Sequence, residues 1–293
     1  MLRRLSPAGL ALAVAIVLPL ATVAAPAHAA VPTPIKVLTI VEENHAEGSA
    51  LLGMPWLASM ARSYGYARSW QAVTHPSLPN YLALAGGSSY AVTNDAGPAA
   101  HPIGGSSVFG QALSHGKTAK TYAEGMSVNC GTTGTSRYAV KHNPWAYFAS
   151  GAERPNCRRW DVPSGTTTAG NLRHDIDAGT LPTVGLLVPD LCHDAHDCSL
   201  GTADSWLRSW LAVVMRGPDY RAGRLAIVVT FDEDDTSGPN TVLTVVISPR
   251  TAHVVSSAAF SHYSWTRYAA ELSGTPPLRA AATARSIRST FHI

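Results

Sequence analysis

Ser77 lies in a segment whose residue types suit nucleophilic attack, Thr74-His75-Pro76-Ser77-Leu78-Pro79-Asn80. Pro79 favours the first turn of a helix, because its φ is preset and it has no N–H to leave unpaired. The residues that follow continue this helix to the Gly86-Gly87 stop. Ser77 is therefore predicted at the helix start, where unpaired N–H groups and the positive end of the helix dipole favour an anion such as phosphate. The alternative is a serine that only caps the helix.

Acidic side chains follow three apolar runs that predict buried strands. These runs are residues 35–41, 183–188 and 225–231, and they are followed by Glu42-Glu43-Asn44, by Asp190 to Asp197 and by Asp232 to Asp235. In a parallel sheet the three ends lie along one edge, where open α/β sheets place their ligands. Carboxylates so close together repel one another unless a cation neutralises them. His196 and His262 would add nitrogen ligands suited to zinc, manganese or iron.

A divalent ion beside a serine hydroxyl would lower the pKa of that hydroxyl and create a nucleophile for attack on phosphorus. Each acidic cluster also has a simpler interpretation when it is taken alone. Asp232 to Asp235 could be a solvated turn, His196 an ordinary loop residue, and Glu43-Asn44 a helix-capping pair. Their shared position at strand ends favours the joint interpretation, a site for one or two ions next to Ser77.

Alternating strands and helices must position these residues. Besides the three strands above, strands are predicted at 66–73, 119–123 and 242–248, and helices at 55–64, 79–85, 108–113, 203–215 and 263–272. This alternation predicts an α/β fold with a single, doubly wound, mostly parallel sheet and helices on both faces.

Residues 1–29 have the pattern of a secretory signal peptide, with Arg3-Arg4, an apolar run and Ala27-His28-Ala29. We expect this segment to be cleaved and residues 30–293 to form one exported domain. Removing the two arginines lowers the formal net charge from +3 to +1. A nearly neutral protein gives no electrostatic reason to expect nucleic acid as a partner. We expect a secreted monomer without stable membrane insertion.

All four cysteines lie in the exported part, and an even number in an oxidising compartment predicts two disulfides. Three pairings are possible, and proximity in the sequence favours Cys130–Cys157 and Cys192–Cys198. Zinc binding by cysteine is the weaker alternative, because no Cys-x-x-Cys spacing occurs. The first pair would staple a long excursion at about 124–170, which shows no sustained hydrophobic period. Long loops of this kind are more often functional than idle.

Five motifs occur in an order that resembles the bacterial phosphoesterase family. They are Glu42-Glu43-Asn44-His45, Thr74 through Tyr81, Asp194-Ala195-His196-Asp197, Phe231 through Asp235 and Ser261-His262-Tyr263-Ser264. That family holds secreted acid phosphatases and phospholipases C and belongs to the alkaline phosphatase superfamily. The similarity spans residues 35 to 275 and is greatest to the short secreted acid phosphatases of actinobacteria. It implies an alkaline-phosphatase-like fold and a metal-dependent hydrolase of phosphate monoesters, phosphoinositides among them.

The resemblance also implies roles for the matching residues. It implies Ser77 as the nucleophile, which would form a phosphoserine, and Asn80 as a ligand of a phosphate oxygen. The residues implied near the metal are Glu43, Asn44, Asp232, Glu233 and His262, with His196 and Asp197 as a further pair and Asp194 or Asp190 as companions. The implied metal is a divalent ion, zinc, calcium or similar. Many two-metal relatives have Asp-His where this chain has Asp232-Glu233, so we expect one tightly held ion, with a second site weak or absent.

Lys141, His142 and His75 are implied as substrate-binding residues, the first two placed to hold the extra charge of a monoester. The alternative for Lys141 and His142 is an anchor within a buried loop. Two other functions remain open: a phosphodiesterase of the phospholipase C type, and a secreted metal-binding protein without turnover. Because a diester carries less charge, Lys141 and His142 favour the monoester. The expected partner is a small phosphorylated substrate or a phospholipid headgroup.

Overall fold

The structure, a computed structural model, describes residues 1–2 and 33–293. The predicted signal peptide, residues 1–29, lies outside the described residues except for its first two. The strands are β1 (Lys36–Glu42), β2 (Gly65–Ala67), β3 (Trp70–Gln71), β4 (Ala119–Ala123), β5 (Asp161–Pro163), β6 (Val184–Val188), β7 (Leu225–Phe231), β8 (Thr244–Ile247), β9 (Val254–Ser256) and β10 (Phe260–Ser261). The helices are α1 (Glu47–Gly53), α2 (Pro55–Ser63), α3 (Ser77–Gly86), α4 (Val108–Ser114), α5 (Glu153–Trp160), α6 (Asn171–Ala178), α7 (Leu200–Val214), α8 (Pro218–Arg221), α9 (His262–Ser273) and α10 (Arg288–Phe291). Short 3-10 turns cover Val140–His142, Pro144–Tyr147 and Arg279–Ala282.

The main sheet has eight strands in the order β5-β4-β6-β1-β7-β8-β2-β9. Within it β8 alone runs opposite to the others, antiparallel to both β7 and β2. Strands β3 and β10 pair separately in a small parallel sheet. The mostly parallel sheet predicted from the sequence is thus confirmed, and the ends of β1, β6 and β7 lie along one edge.

Strands β1, β6 and β7 are buried on both faces, which is why their sequences are continuous apolar runs rather than alternating ones. Helices α3, α4 and α9 contact one another on one side of the sheet, and α1, α2 and α7 do so on the other. Among the described residues, no helix is both long and apolar enough to cross a bilayer.

Both predicted disulfides are present, Cys130–Cys157 and Cys192–Cys198. The stapled excursion at 124–170 is more ordered than its sequence indicates, because it contains α5 and β5. Helix α5 buries only Glu153 and Cys157, so its sequence has no apolar stripe to reveal it. The predicted strand at 66–73 is also different in the structure, since it divides into β2 and β3, which belong to different sheets.

The start of α2 depends on a carboxylate from α7. Asp204 is buried, and its two oxygens accept hydrogen bonds of 2.9 Å from the backbone N–H groups of Trp56 and Leu57. We expect Asp204→Ala to lower the free energy of unfolding by about 1–3 kcal/mol, because both donors lose their partner. Urea unfolding measures this difference. Asp177→Ala, which removes an exposed carboxylate paired with Arg173, is the control, and equal losses in the two variants would contradict the prediction.

Candidate active site

The Ser77 hydroxyl lies at the start of α3 and is buried. Its Oγ donates to Glu43 Oε2 at 3.0 Å, and the Lys141 ammonium nitrogen lies 3.5 Å from Oγ. Ser77 does not cap the helix through its side chain. The hydroxyl therefore stands between a carboxylate and a cation, an arrangement that a capping serine would not need.

Side-chain oxygens of Glu43, Asn44 and Asp232 converge beside this hydroxyl. The Asn44 oxygen lies 3.0 Å from Glu43 Oε2 and 3.2 Å from Asp232 Oδ1, so oxygen atoms face one another without a donor between them. Rotating the Asn44 carboxamide by half a turn would supply two N–H donors, and a cation among the oxygens would neutralise them without that rotation. These three residues could therefore hold a metal ion beside Ser77, and Glu124, Asp190 and His193 form a separate group whose ligand atoms also lie close together.

The ends of two strands bring these oxygens together. The Asn44 backbone leaves β1 with a φ of 50°, a left-handed conformation that asparagine tolerates. Its N–H then donates to Asp232 Oδ1 at 3.1 Å. Burial raises the pKa of Asp232 well above its usual range, and the Glu43 and Glu233 carboxylates raise it further.

His142 is the buried cation opposite this cluster. Its Nε2 lies 3.2 Å from Glu43 Oε2 and its Nδ1 lies 3.1 Å from Asp194 Oδ2. The ring stacks on Tyr81, whose hydroxyl donates to the other oxygen of Glu43. Burial alone would raise the pKa of Glu43, but the charges of His142 and Lys141 and the hydrogen bond from Tyr81 outweigh it and lower that pKa. Glu43 is thus kept ionised next to the serine.

Glu233 forms a second acidic position with His75 and Asn80. Its Oε2 lies 3.1 Å from His75 Nδ1 and accepts a hydrogen bond of 3.0 Å from Asn80 Nδ2. His75 Nε2 lies 3.2 Å from Asp234 Oδ1. Burial raises the pKa of Glu233 to about 8, and the charges of Glu43 and Asp95 add to the effect.

Asn80, which we predicted to bind a phosphate oxygen, uses its side chain for hydrogen bonds within the protein. Its oxygen accepts from the N–H groups of Val73 and Thr74, and its nitrogen donates to two backbone carbonyls as well as to Glu233. Because the whole carboxamide is used, Asn80 orders the turn before Ser77 and orients Glu233.

His262 does not fit the predicted role of metal ligand. Its Nε2 donates to the Asp232 backbone oxygen at 2.6 Å, and its Nδ1 accepts from Trp70 Nε1 at 3.2 Å. Burial lowers the pKa of His262 to about 4, so the ring is neutral. Both ring nitrogens already form hydrogen bonds, and the bond to the Asp232 carbonyl holds the backbone directly after β7.

His196 and Asp197 lie at the margin of the cluster. The His196 ring centre is 5.9 Å from that of His142, and its Nδ1 lies 2.7 Å from Asp197 Oδ1. Asp194, predicted only as a companion, is closer, because its buried carboxylate pairs with His142. Asp190 points elsewhere and forms a bidentate ion pair with Arg137.

Asp95 belongs to the site although the sequence analysis missed it. One oxygen accepts from the Leu78 N–H at 2.9 Å and the other lies 3.0 Å from Lys141 Nζ. Asp95 stands in a turn-forming stretch between α3 and α4, and no motif or period there indicates such a contact.

Glu42, next to Glu43 in the sequence, faces the other side of the sheet because side chains alternate along a strand. Its carboxyl group is fully buried, and neither oxygen has a hydrogen-bond partner among the described residues. Burial raises the pKa of Glu42 well above its usual range, and Asp194 and Glu43 raise it further. Only one of the two adjacent glutamates therefore serves the cluster.

Comparison with known proteins identifies relatives of this chain. The model of the Phosphoesterase family matches residues 52–272. A phosphatidylinositol-3-phosphatase of Mycobacterium tuberculosis is 30% identical over 257 residues, covering 85% of this chain and 80% of its own length. A phosphate-repressible acid phosphatase of Penicillium chrysogenum is 28% identical over 201 residues, covering 65% of this chain. The chain spans 46% of that fungal relative.

Solved structures share the fold at low sequence identity. A protein of the alkaline phosphatase superfamily from Vibrio parahaemolyticus superposes with a TM-score of 0.57 at 10% identity, over 83% of this chain and 67% of its own. A sulfatase from Pseudoalteromonas sp. has a TM-score of 0.53 at 11% identity, over 89% and 72% of the two chains. The family match over residues 52–272, together with the 30% identity to the M. tuberculosis phosphatase, shows that the chain belongs to the phosphoesterase family, hydrolases that act on phosphoric ester bonds.

Proposed function

We propose that the chain is an exported, metal-dependent phosphomonoesterase in which Ser77 forms a phosphoserine intermediate. The observation that carries this proposal is the position of Ser77 Oγ, 3.0 Å from Glu43 Oε2 and 3.5 Å from Lys141 Nζ. The carboxylate accepts the hydroxyl proton, and the ammonium group attracts the phosphate. The start of α3 adds the positive end of a helix dipole at the same point.

The reaction proceeds in two transfers. Ser77 Oγ bonds to phosphorus while the bond from phosphorus to the ester oxygen breaks, and the leaving oxygen takes a proton from water. A water molecule then attacks the phosphoserine and gives one proton to the hydroxide that the first transfer left. The bond from phosphorus to Oγ breaks, the serine oxygen regains its proton from Glu43, and inorganic phosphate leaves. Glu43 Oε2 is placed to accept the serine proton in the first transfer and to return it in the second.

Glu43, Asn44 and Asp232 would hold the metal, with Glu233 as a neighbouring carboxylate. When bound, a divalent ion would lower the pKa of the serine hydroxyl and neutralise charge on the phosphoryl oxygens. Neither His262 nor Asn80 has a free polar atom for a second ion, which supports a single ion beside Ser77 among the described residues.

Phosphate monoesters are the proposed substrates because the Lys141 ammonium nitrogen lies 3.5 Å from Ser77 Oγ. A monoester dianion carries more charge than a diester and is therefore attracted more strongly by this cation. Both ring nitrogens of His142 pair with carboxylates, those of Glu43 and Asp194. The relative from M. tuberculosis is a phosphatidylinositol-3-phosphatase by name, which makes phosphoinositides a substrate class to assay. The signal-peptide pattern and the two disulfides support export.

Ser77→Ala should reduce turnover of p-nitrophenyl phosphate by at least about 10³-fold, because it removes the nucleophilic hydroxyl. Circular dichroism and metal analysis should show an unchanged fold and metal content. Ser199→Ala is the matched control, since Ser199 caps α7 by accepting from the Thr202 N–H. An active Ser77→Ala enzyme would refute the mechanism. Metal binding without hydrolysis of any monoester or diester by the wild type would instead indicate a metal-binding protein.

Removal of the metal should abolish activity and leave the fold intact. We expect dialysis against a chelator to stop hydrolysis of p-nitrophenyl phosphate, and addition of single divalent ions to restore it. Asp232→Asn should bind the restoring ion at least about tenfold more weakly, because it loses one anionic ligand. Asp235→Asn, which changes an exposed neighbour of the same type, is the control. Full activity of protein shown by metal analysis to be metal-free would contradict the proposal.

The His142 ring should keep its proton at unusually high pH. Burial lowers the pKa, but Glu43 and Asp194 outweigh burial and raise it from 6.5 to about 9. Since this pKa lies above the unfolded value, the ion pairs stabilise the fold fully below pH 6.5 and lose that contribution as the pH rises through about 9. An NMR titration of labelled, metal-free protein measures the midpoint. Glu43→Gln should lower it and Glu271→Gln should not, while a wild-type midpoint at or below 6.5 would be the opposite result.

A further inference from the structure

Asp95 links the nucleophile's helix to the substrate-binding lysine. It comes from the segment between α3 and α4, 17 residues from Leu78, and it receives the Leu78 N–H on Oδ1 at 2.9 Å. Its Oδ2 pairs with Lys141 Nζ at 3.0 Å. One carboxylate thus joins the first turn of α3, directly after Ser77, to a side chain of the Val140–His142 turn.

The lysine needs such a partner to be held near the serine. A lysine side chain has four rotatable bonds, and its free rotation costs about 1.5–2 kcal/mol to freeze. The Lys141 side chain is 20% exposed, and its Nζ lies 3.5 Å from Ser77 Oγ, a distance too long for that contact alone to fix it. The shorter bond to Asp95 sets where the ammonium group stands.

Asp95 also faces the rest of the site. After burial and Glu43, its charge is the next cause of the raised pKa of Glu233. Its own side chain is 29% exposed, so it lies at the mouth of the site rather than beneath it. A substrate phosphate at Ser77 would therefore lie near the negative charge of Asp95, which the pairing with Lys141 compensates.

We propose that Asp95 is a positioning residue that holds Lys141 over Ser77 and thereby gives the enzyme its affinity for the dianionic phosphate of monoesters. This inference rests on the proposed phosphomonoesterase function. Lys141 binds phosphate oxygens that are charged in the substrate as well as in the transition state. Loss of its position should therefore raise KM more than it lowers kcat.

Asp95→Asn separates the two bonds that Asp95 makes. The asparagine oxygen still accepts the Leu78 N–H, so the start of α3 keeps its partner, whereas the amide nitrogen cannot accept a hydrogen bond from the Lys141 ammonium group. Asp177→Asn is the matched control, because it removes the same charge from an exposed position on α6 where the partner is Arg173.

The test compares the steady-state kinetics of p-nitrophenyl phosphate hydrolysis in five holoenzymes: wild type, Asp95→Asn, Lys141→Met, the double variant and Asp177→Asn. We expect Asp95→Asn to raise KM about tenfold with a smaller change in kcat, the pattern also expected for Lys141→Met. In the Lys141→Met background, Asp95→Asn should cause no further change, since its effect passes through the lysine. Thermal unfolding and metal content should match the wild type.

Three results would overturn the inference. An unchanged or lower KM in Asp95→Asn would mean that Asp95 acts only as a repelling charge. A loss confined to kcat would indicate displacement of Ser77 by a structural change. An equal loss in the presence and absence of Lys141 would show that Asp95 acts independently of the lysine. A wild type without phosphatase activity would refute the proposed function itself, which is a different outcome.

Discussion

The main constraint on the site is electrostatic: the fold brings several carboxylates to one edge of its sheet, and their mutual repulsion must be compensated by positive charge. Glu43 and Asp232 directly follow two adjacent parallel strands, β1 and β7, and the parallel register brings their side chains to the Asn44 carboxamide. Buried charges of the same sign are costly unless cations compensate them. The protein supplies His142 and Lys141 for this purpose, and a divalent ion would supply the rest. Lys141, one of these two positive groups, is also the proposed partner of the substrate phosphate.

The edge of the sheet and the turn before α3 supply different parts of the site. Strand ends supply the anions, while the turn ordered by Asn80 delivers Ser77 to them with the positive end of a helix behind it. Lys141 and His142 belong to a separate segment, which lies between Cys130 and helix α5 in the sequence. Nucleophile, anions and cations therefore come from three independent parts of the chain, so each can be altered without removing the other two.

Continuous apolar runs made the central strands predictable, since β1 and β7 differ from their predicted bounds by at most one residue. Motif order likewise indicated Ser77, Glu43 and Asn44. The direction in which each side chain points could not be predicted from the sequence. His262 belongs to a site motif, yet Trp70 and the backbone of Asp232 occupy both its nitrogens. Asp95 has no motif, because its role arises from contacts made across the fold. Sequence patterns specify which residue types reach an edge, and packing decides which atoms face the ligand.

The central claim is that Ser77 carries the phosphoryl group during turnover. The most direct measurement is to mix the metal-loaded enzyme with excess phosphomonoester, stop the reaction with acid within one turnover and analyse the digested protein by mass spectrometry. The account predicts one phosphoryl group on the peptide that contains Ser77, located on Ser77 itself, and its disappearance when the substrate is exhausted. An active enzyme that accumulates phosphate on another residue during turnover would contradict the account.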